Sequence, residues 1–417
     1  MLIKIMKFIT IFLIVFSTNI LAQSWQIVGQ MPIPVSGGQA VVHDSLIYIL
    51  GGFSETQNSD VDLIQEYNPR TDTWTVAGKM KYPRVDFIAG SYPDSIVYMG
   101  GISSQSTEAT SLESWNFSSS PIVLKSNDYF NRLYSTGQII GNYIYVFGGT
   151  VLDSSYPYMY SYDLSTENVT HSNDTLFSLT YPTQQMSAVY NNFIYLFGGA
   201  RSVLLKSIYK YDVSNNQMIL LPQTLEHPRA GGAAVLLNDK IYIIGGFDET
   251  NTLASVKIFR VGSGESEIED GPWLNDARRD PVVVNYYGSL YVFGGIDNYG
   301  KDVHDIEMYL NVPTTAVSNE KITTPTQFKL ENNYPNPFNP STQISFEVAK
   351  LSKVSIDIFS ILGKHIKNIA SKVYAAGKYS VTWNGTDTNG EHVSSGIYIY
   401  RMSSDYYSES KKMVLLK

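Results

Sequence analysis

The sequence predicts an all-β protein with two folded domains, and three observations lead to that prediction. Tyr accounts for 31 of the 417 residues and aromatic residues for 13%, which favours strands. A glycine doublet that ends a short apolar run recurs at nearly constant spacing through the first three quarters of the chain. The sign of the net charge changes near residue 329, which is typical of a domain boundary.

The first 22 residues have the layout of a secretory signal peptide. Lys4 and Lys7 precede an apolar run from Phe8 to Phe16, and Ala22 offers a small residue for cleavage. Because the run is too short to remain as a transmembrane anchor, we expect a mature chain without one. The sequence contains no cysteine, so the stability of the exported protein has to come from core burial rather than from disulfides.

Six glycine doublets mark a repeat between residues 23 and 310. Their first glycines are at positions 51, 100, 148, 198, 245 and 294, so the intervals are 49, 48, 50, 47 and 49 residues. Each doublet ends an apolar strand, as in "YIYVFGG" up to Gly149, and each interval has room for four short strands. A period near fifty residues is typical of a radial β array, and six doublets predict a six-bladed β-propeller over residues 23–310.

The outer strands predict how the ring of blades closes. Trp25 and Trp74 each lie 26 residues before a first glycine; the same offset places Ile122, Ile219 and Ile268 in other repeats, with Ser172 as the exception. Only one further strand, near "DIEMYL", fits between the last doublet and the next polar stretch. We therefore expect the segment at Trp25 to complete the last blade, which removes the open sheet edges.

The repeat resembles the kelch family, whose motif combines a glycine doublet with a later Tyr-Asp or Tyr-Asn turn and a Trp in the outer strand. "EYNPRTDTW" at Glu66–Trp74 fits this motif, whereas "SYDLSTEN" and "KYDVSNNQ" keep the Tyr-Asp pair and lose the Trp. The resemblance covers about residues 25–310 and implies a six-bladed kelch-type β-propeller.

A second domain is expected after a linker at residues 311–328, which is rich in Thr, Pro and Asn. Short strands separated by Gly and Asn turns over residues 329–417 predict a small immunoglobulin-like β-sandwich. This domain resembles the type A sorting domain of the bacterial type IX secretion system. The residues that carry the resemblance are Asn332–Pro340, Leu362–Lys364, Ala375–Gly385, Ser394–Arg401 and Lys412–Lys417.

The sorting resemblance implies where the protein goes. It implies export to the periplasm, passage through the outer membrane by the type IX secretion machinery, and removal of the domain from a secreted or cell-surface product. The candidate sorting residues are Pro335, Asn336, Pro337, Phe338, Gly377, Trp383, Gly396, Lys412 and Lys417. The alternative is an ordinary adhesive β-sandwich.

A candidate ligand site comes from arginines that share one register. Sixteen residues before the first glycines stand Arg84, Arg132, Arg229 and Arg278, with Val35 and Pro182 in the other two repeats. In kelch propellers arginines at such positions face the channel mouth, so the resemblance implies binding of acidic groups, which guanidinium forks match. The structural alternative is that each arginine caps a blade end or pairs with a neighbour such as Asp86 or Asp280.

Charge and motifs narrow the function of the propeller. Residues 23–328 contain 17 basic and 31 acidic residues, a net charge of −14, whereas the residues from 329 onward carry +4. An acidic body disfavours nucleic acid as a partner. The histidines lack metal-ligand spacing, no phosphate-binding glycine loop is present, and zero cysteines exclude the cysteine–tyrosine crosslink of copper-radical oxidases. We therefore expect no metal and no cofactor.

The leading hypothesis is a monomeric, non-enzymatic module that binds an acidic glycan or a surface protein. The alternative is a carbohydrate-active enzyme on the same scaffold, such as an epimerase or mutarotase that acts on an acidic sugar. Carboxylates a few ångströms apart within the arginine-lined mouth would favour the enzyme, because glycan chemistry commonly uses paired carboxyl groups.

Overall fold

The structure is a computed structural model, and its regular elements are strands. It describes residues 24–104, 111–117, 120–126, 130, 132–151, 159–171, 182–261, 267–310, 327–349, 352–374, 377–388, 390–404 and 407–416. The predicted signal peptide and most of the predicted linker lie outside these residues, so both stay predictions. Among the described residues, no helix is long and apolar enough to span a membrane.

Six four-stranded antiparallel sheets, the blades, make up the first domain. After strand β1 (Trp25–Gln30), blade 1 contains β2 (Gln39–His43), β3 (Leu46–Leu50), the short pair β4 (Phe53–Ser54) and β5 (Ser59–Asp60), β6 (Leu63–Asn68) and β7 (Thr73–Lys79). Blade 2 contains β8 (Ile88–Tyr92), β9 (Ser95–Met99), β10 (Leu112–Trp115) and β11 (Ile122–Lys125). Blade 3 contains β12 (Arg132–Leu133), β13 (Thr136–Ile140), β14 (Tyr143–Phe147), β15 (Thr150–Val151), β16 (Met159–Asp163) and β17 (Val169–His171).

The remaining three blades follow the same order. Blade 4 contains β18 (Met186–Tyr190), β19 (Phe193–Phe197), β20 (Ser207–Asp212) and β21 (Gln217–Thr224). Blade 5 contains β22 (Ala233–Leu237), β23 (Lys240–Ile244), β24 (Val256–Arg260) and β25 (Ile268–Asp270). Blade 6 contains β26 (Val282–Tyr286), β27 (Ser289–Phe293) and β28 (Asp305–Leu310), and β1 is its fourth strand.

The second strand of every blade is apolar without alternation because both of its faces are covered. In β14 the four residues Ile144–Phe147 are all buried, and β19, β23 and β27 show the same pattern. A half-exposed antiparallel strand would alternate apolar and polar residues, whereas a strand packed on both faces reads as a continuous apolar run. This burial explains the repeated sequences that end in each doublet.

The ring closes as the sequence predicts. The innermost strands contact one another in cyclic order, and β26 of blade 6 packs against β2 of blade 1. Strand β1 pairs antiparallel with β28, with Trp25 opposite Tyr309 and Gln30 opposite Asp305. Trp25 is buried, and its Nε1 donates a hydrogen bond of 2.9 Å to the carbonyl oxygen of Pro272. The prediction that the Trp25 segment completes the last blade is confirmed.

The other positions at the Trp offset also lie in outermost strands. Trp74 is in β7, Ile122 in β11, Ile219 in β21 and Ile268 in β25. Ser172, the exception, lies outside the described residues.

The C-terminal domain is a β-sandwich of two sheets around one core, as predicted. Its strands are β29 (Lys329–Leu330), β30 (Thr342–Val348), β31 (Ser352–Ser360), β32 (His365–Tyr374), β33 (Gly377–Trp383), β34 (Gly396–Ser404) and β35 (Tyr407–Leu415). One sheet has the order β29-β30-β33 and the other β32-β31-β34-β35. The fully buried Trp383 packs in this core with residues from both sheets, among them Phe346, Ile356, Tyr400 and Met413.

Candidate functional site at the channel mouth

The four register arginines are buried inside the blades. Arg84, Arg132, Arg229 and Arg278 are between 0 and 2% exposed. In each, Nη1 donates a hydrogen bond to the carbonyl oxygen of the first glycine of the doublet sixteen residues later: Gly100 at 2.9 Å, Gly148 at 2.9 Å, Gly245 at 3.3 Å and Gly294 at 3.0 Å. The arginine register therefore ties the start of each blade to the end of its second strand.

The third strand of two blades completes the guanidinium sites with a buried carboxylate. In blade 2, Nη2 of Arg84 pairs with Glu113, which also accepts a hydrogen bond of 3.0 Å from the hydroxyl of Tyr98. In blade 6, Nη2 of Arg278 lies 2.7 Å from Oε1 of Glu307. Both glutamates are fully buried, so each ion pair is enclosed within its blade.

The other two arginines contact neutral groups of the described residues. Arg229 of blade 5 donates to the carbonyl oxygen of Ser255 at 3.2 Å and to its hydroxyl at 3.0 Å. Arg132 of blade 3 lies with its guanidinium carbon 5.0 Å from the centre of the Tyr160 ring, a cation–π contact. Burial lowers the pKa of Arg229, as it does for Arg84 and Arg278.

These positions correct the sequence-based ligand hypothesis for the arginines. The guanidiniums of Arg84, Arg132, Arg229 and Arg278 lie within four different blades, and at 0–2% exposure they are withdrawn from any ligand in the channel. The geometry agrees with the structural alternative, although the partners of Arg84 and Arg278 are Glu113 and Glu307 rather than Asp86 and Asp280. Sequence could not show this, because it does not reveal to which side of a loop a long side chain turns.

The main chain at the register position has a second role, which joins neighbouring blades. The N–H group of the second glycine of a doublet donates a hydrogen bond of 2.8–3.0 Å to the carbonyl oxygen of the register residue in the next blade. The donor and acceptor residues are Gly52–Arg84, Gly149–Pro182, Gly199–Arg229, Gly246–Arg278 and Gly295–Val35. The last of these bonds links blade 6 to blade 1. Because the contact uses only backbone atoms, Val35 and Pro182 can replace arginine at this position.

A ring of six residues surrounds the channel two positions after the register. Its members, called here the mouth ring, are Gly37, Asp86, Tyr134, Gln184, Gly231 and Asp280, each fourteen residues before a first glycine. All six have φ between 49° and 63°, in the left-handed region. Five of the six pairs of successive members are linked by backbone hydrogen bonds, including Asp86 N–H to Gly37 O at 2.8 Å and Asp280 N–H to Gly231 O at 2.7 Å.

The mouth ring borders a cavity of about 400 Å³ in the central channel, lined by residues of all six blades. Two of its side chains are carboxylates, and glycines make room for them. A Cβ atom on Gly37 would lie 2.6 Å from Oδ1 of Asp86, and one on Gly231 would lie 2.7 Å from Oδ1 of Asp280. In the ring order, Asp86 and Asp280 are the two neighbours of Gly37.

The carboxyl groups of Asp86 and Asp280 both have raised pKa values. Burial raises the pKa of Asp86, and repulsion by Asp280 raises it further. Burial also raises the pKa of Asp280, although Arg279 opposes the shift. Burial and both carboxylates raise the pKa of the Tyr134 hydroxyl, which is 39% exposed. Two acidic groups that repel each other thus face a partly enclosed channel mouth, a pattern that is common at functional sites.

Sequence reasoning missed the mouth ring as a site, since it treated Asp86 and Asp280 only as neighbours of the arginines. A periodic signal was available, because the ring has the same intervals as the doublets. Among the described residues, no group of three or more His, Cys, Asp or Glu side chains is arranged to hold a metal ion.

Loops beyond the doublets are joined to one another around the same end of the propeller. Asp302 of blade 6 accepts a hydrogen bond of 2.8 Å from the N–H of Thr56 in blade 1. Asp60 of blade 1 accepts one of 2.6 Å from the N–H of Ser104 in blade 2. Thr252 of blade 5 donates to the side chain of Asn298 in blade 6 at 2.6 Å. Carboxylate and amide oxygens therefore link these neighbouring loops.

The predicted sorting residues have mainly structural positions in the sandwich. Oδ1 of Asn336 accepts a hydrogen bond of 2.9 Å from the N–H of Val414, and Phe338 packs against Trp383 with ring centres 5.6 Å apart. Pro335 and Pro337 flank Asn336, Gly377 and Gly396 begin β33 and β34, and Lys412 is in β35 opposite Ile399. Lys417 lies outside the described residues.

Family comparisons match both domains. A model of the KLHDC2/KLHL20/DRC7 Kelch-repeats domain matches residues 134–309, and the Kelch motif matches residues 34–81. A model of the secretion system C-terminal sorting domain matches residues 332–416.

Individual relatives match the repeat at low identity. Alpha-scruin of Limulus polyphemus is 22% identical over 68% of this chain and 27% of its own length. Kelch-like protein 36 of Bos taurus is 28% identical over 56% of this chain and 39% of its own. Kelch repeat protein M-T9 of Myxoma virus is 33% identical over 26% of this chain and 21% of its own. The chain thus spans well under half the length of these relatives.

Proposed function

We propose, from the premise that this chain is a kelch-repeat protein exported through the type IX secretion system to the cell surface or extracellular space, that its propeller is a non-enzymatic binding module. The proposed binding site is the mouth ring, and the proposed ligand feature is a cationic group. A Lys or Arg side chain of a surface protein and an amino sugar of a glycan both present such a group.

The observation that carries the proposal is the carboxylate pair Asp86 and Asp280 at the channel mouth. Each carboxylate has a raised pKa, so each is destabilised in its ionised form. A cation between them would relieve the repulsion and would interact more strongly than in bulk water, because the site is partly enclosed. Among the described residues, no side chain donates a hydrogen bond to either carboxylate, so the ligand would supply the donors.

The net charge of the domain supports the same choice. Residues 23–328 carry −14, and the buried arginines Arg84 and Arg278 are already paired with Glu113 and Glu307. An acidic glycan, the ligand expected from the arginine register, would meet carboxylates instead of guanidiniums at this mouth. The carboxylate pair at this mouth is a feature that would favour an enzyme for acidic sugars. Such an enzyme would also need a cationic group to hold its substrate, and the four register arginines are buried within their blades.

The test is a binding screen with the purified secreted protein. One arm presents Lys- and Arg-containing peptides, a second presents amino-sugar glycans, and a third presents acidic glycans. The double variant Asp86→Asn and Asp280→Asn should weaken binding to the selected cationic ligand by at least about tenfold, which corresponds to about 1.4 kcal/mol. Asp94→Asn, which removes a charge from the exposed turn between β8 and β9, should have no such effect.

Salt and pH give independent readouts. Binding should weaken at high ionic strength, and it should weaken as the pH falls through the raised pKa values of the pair, because protonation removes the negative charge. Selection of acidic glycans, or unchanged binding by the double variant, would overturn the proposal. Turnover of a sugar in the same samples, lost in the double variant, would instead establish the enzymatic alternative.

A further inference from the structure

The outer face of the sheet β32-β31-β34-β35 in the sorting domain is divided into a polar half and an apolar half. In the polar half, two cross-strand rows contain Ser355, Ser403 and Ser408, then Asp357, Arg401 and Ser410. This composition is expected where one face of a sandwich sheet meets water.

The other half of the same face breaks this pattern. Its next row contains Phe359, Ile399 and Lys412, and the row after that pairs Ile397 with Val414. The guanidinium of Arg401 lies 4.4 Å from the Phe359 ring centre, at the boundary between the halves. Ile397 is 47% exposed, and Leu416, just past the end of β35, is 52% exposed.

The turn between β31 and β32 adds two more exposed apolar side chains at this end of the sheet. Ile361 is 52% exposed and Leu362 is 93% exposed. The turn is held by backbone bonds of 2.9 Å, from Gly363 N–H to Ser360 O and from Ser360 N–H to Lys364 O. Neither bond needs an apolar side chain at 361 or 362, and turns of this kind favour polar residues. The fold therefore does not explain Leu362.

Motifs that are far apart in the sequence meet at this end. The loop at Asn336–Phe338 is hydrogen-bonded to Val414 and Leu416 through Phe338 N–H to Val414 O at 3.0 Å and Leu416 N–H to Phe338 O at 2.9 Å. Trp383 lies beneath, with its ring centre 5.1 Å from that of Tyr398. Phe338, Trp383 and Tyr398 are buried and hold the strands together, whereas Leu362, Ile397 and Leu416 leave exposed apolar surface.

We infer that this apolar surface is the one through which the type IX secretion machinery recognises the domain. The surface, called here the apolar end, comprises the exposed Ile361, Leu362, Ile397 and Leu416 and the half-buried Phe359, Ile399 and Val414. A sorting domain has to be contacted by the machinery, and exposed apolar clusters mark protein contacts. The exposed Lys364 and Lys412 flank the apolar end, so the matching partner surface is an apolar pocket bordered by carboxylates.

A C-terminal truncation does not test this surface cleanly. The resemblance to a sorting domain implies that deletion of Lys412–Lys417 traps the protein in the periplasm. That deletion also removes Met413 and Leu415, which are buried in the sandwich core. A trapped truncation would therefore not separate loss of recognition from loss of folding, whereas exposed single residues do.

The test uses the full chain, produced in a bacterium with a type IX secretion system. Leu362→Ser and Ile397→Ser should each reduce the fraction outside the cell, and together they should reduce it at least about tenfold, as truncation of central contact residues does at interfaces. The single variant Leu362→Met should be exported normally, because it keeps an apolar side chain at this position. Val203→Ser, which removes a 63% exposed apolar side chain from the propeller, is the matched control and should be exported normally.

Three further readouts keep the result unambiguous. The melting temperature of full-length Leu362→Ser protein should equal that of the full-length unchanged protein, both purified with the sorting domain still attached, and ligand binding by the propeller should be unaffected in the Ser variants. Normal export of the double Ser variant would overturn the inference. Concentration-dependent dimerisation that Ile397→Ser abolishes without any effect on export would also overturn it, since the apolar end would then serve self-association.

Discussion

Arg84 and Asp86 lie two residues apart in one loop, as do Arg278 and Asp280 in another, yet the two pairs of charges have opposite surroundings. Each arginine turns into the wall of its own blade and has a buried glutamate and carbonyl oxygens as partners. Each aspartate turns into the channel mouth and has another aspartate nearby. Removing one member of a buried ion pair leaves an uncompensated charge, so these pairs support the scaffold, whereas a carboxylate without a cationic partner is available to a ligand.

The largest expected effect on stability comes from removing a buried arginine from its ion pair. Arg278→Ala leaves the buried Glu307 without its cation, so we expect a loss of about 3–5 kcal/mol in the free energy of unfolding. Urea denaturation measures it, and Arg279→Ala, an exposed neighbour, is the control with little expected change. A loss below about 1 kcal/mol would mean that the pair does not support the blade.

Arg84 and Arg229 together test the ligand role that the arginine register implies. If that role were correct, replacing both by Ala would weaken ligand binding at least about tenfold and leave folding largely intact. Since both side chains are at most 2% exposed and bonded within their blades, the double variant should instead unfold at a lower temperature. Ligand affinity of any folded fraction should be unchanged. Thermal unfolding followed by binding to the remaining folded protein distinguishes the two outcomes.

A second test addresses the doublets that join the blades. Gly148 has φ of 60°, and a Cβ atom there would lie 2.1 Å from the carbonyl oxygen of Pro182, whereas Gly141 has φ of 57° and open space around it. Gly148→Ala should cost about 2–5 kcal/mol, from left-handed strain plus overpacking. Gly141→Ala should cost only the strain, about 1–2 kcal/mol. Equal losses in denaturation experiments would show that close approach of the blades does not require glycine.

Removing the negative charge of Asp86 should raise the stability of the folded protein. Because the folded-state pKa of Asp86 is raised above its unfolded value, the folded protein binds more protons between the two values. The free energy of unfolding therefore decreases as the pH rises from the unfolded-state pKa, near 3.9, to the raised folded-state pKa. Below the unfolded-state pKa, Asp86 is protonated in both states and no longer destabilises the folded protein. Asp86→Asn should remove this loss and raise the free energy of unfolding at pH 8 by roughly 1–2 kcal/mol.

Denaturation of Asp86→Asn across the pH range measures this gain. The difference from the unchanged protein should vanish near pH 4. Asp94→Asn, at an exposed turn, should follow the unchanged protein throughout. A stability difference that grows as the pH falls would have the wrong sign and would mean that the carboxylate is stabilised in the folded state.

The smallest expected effect concerns blade 4, where Pro182 replaces the register arginine. Nε2 of the buried Gln185 donates to the carbonyl oxygen of Gly198 at 3.2 Å, the bond that arginine makes in other blades. Gln185→Met should cost only about 0.5–1.5 kcal/mol, the net value of a neutral hydrogen bond. A cost as large as that of Arg278→Ala in the same denaturation assay would show that the ion pair adds nothing beyond this bond.

The blade architecture is predictable from the amino-acid sequence, because burial and backbone geometry that repeat in every blade require the same residue types at a constant spacing. Gly51 and its five counterparts have positive φ and neighbours from the next blade at contact distance, so glycine recurs every fifty residues or so. The matched offset of Trp25 and Trp74 likewise predicted which strand closes the ring, since both fill the same place in an outer strand. The sorting domain was identified from motifs that maintain its core, such as Phe338 and Trp383.

Which charges are available to a ligand depends on tertiary contacts that the sequence pattern does not reveal. A period in sequence places Arg84 and Asp86 equally well at the start of a blade, but it does not specify the direction of either side chain. For the arginine, that direction depends on a partner distant in sequence, Glu113 in the third strand of the blade, whereas Asp86 faces the channel beside Asp280 of another blade. The apolar end of the sorting domain is also a tertiary feature, because Leu362, Ile397 and Leu416 meet only when strand register brings their three segments to one end of a sheet.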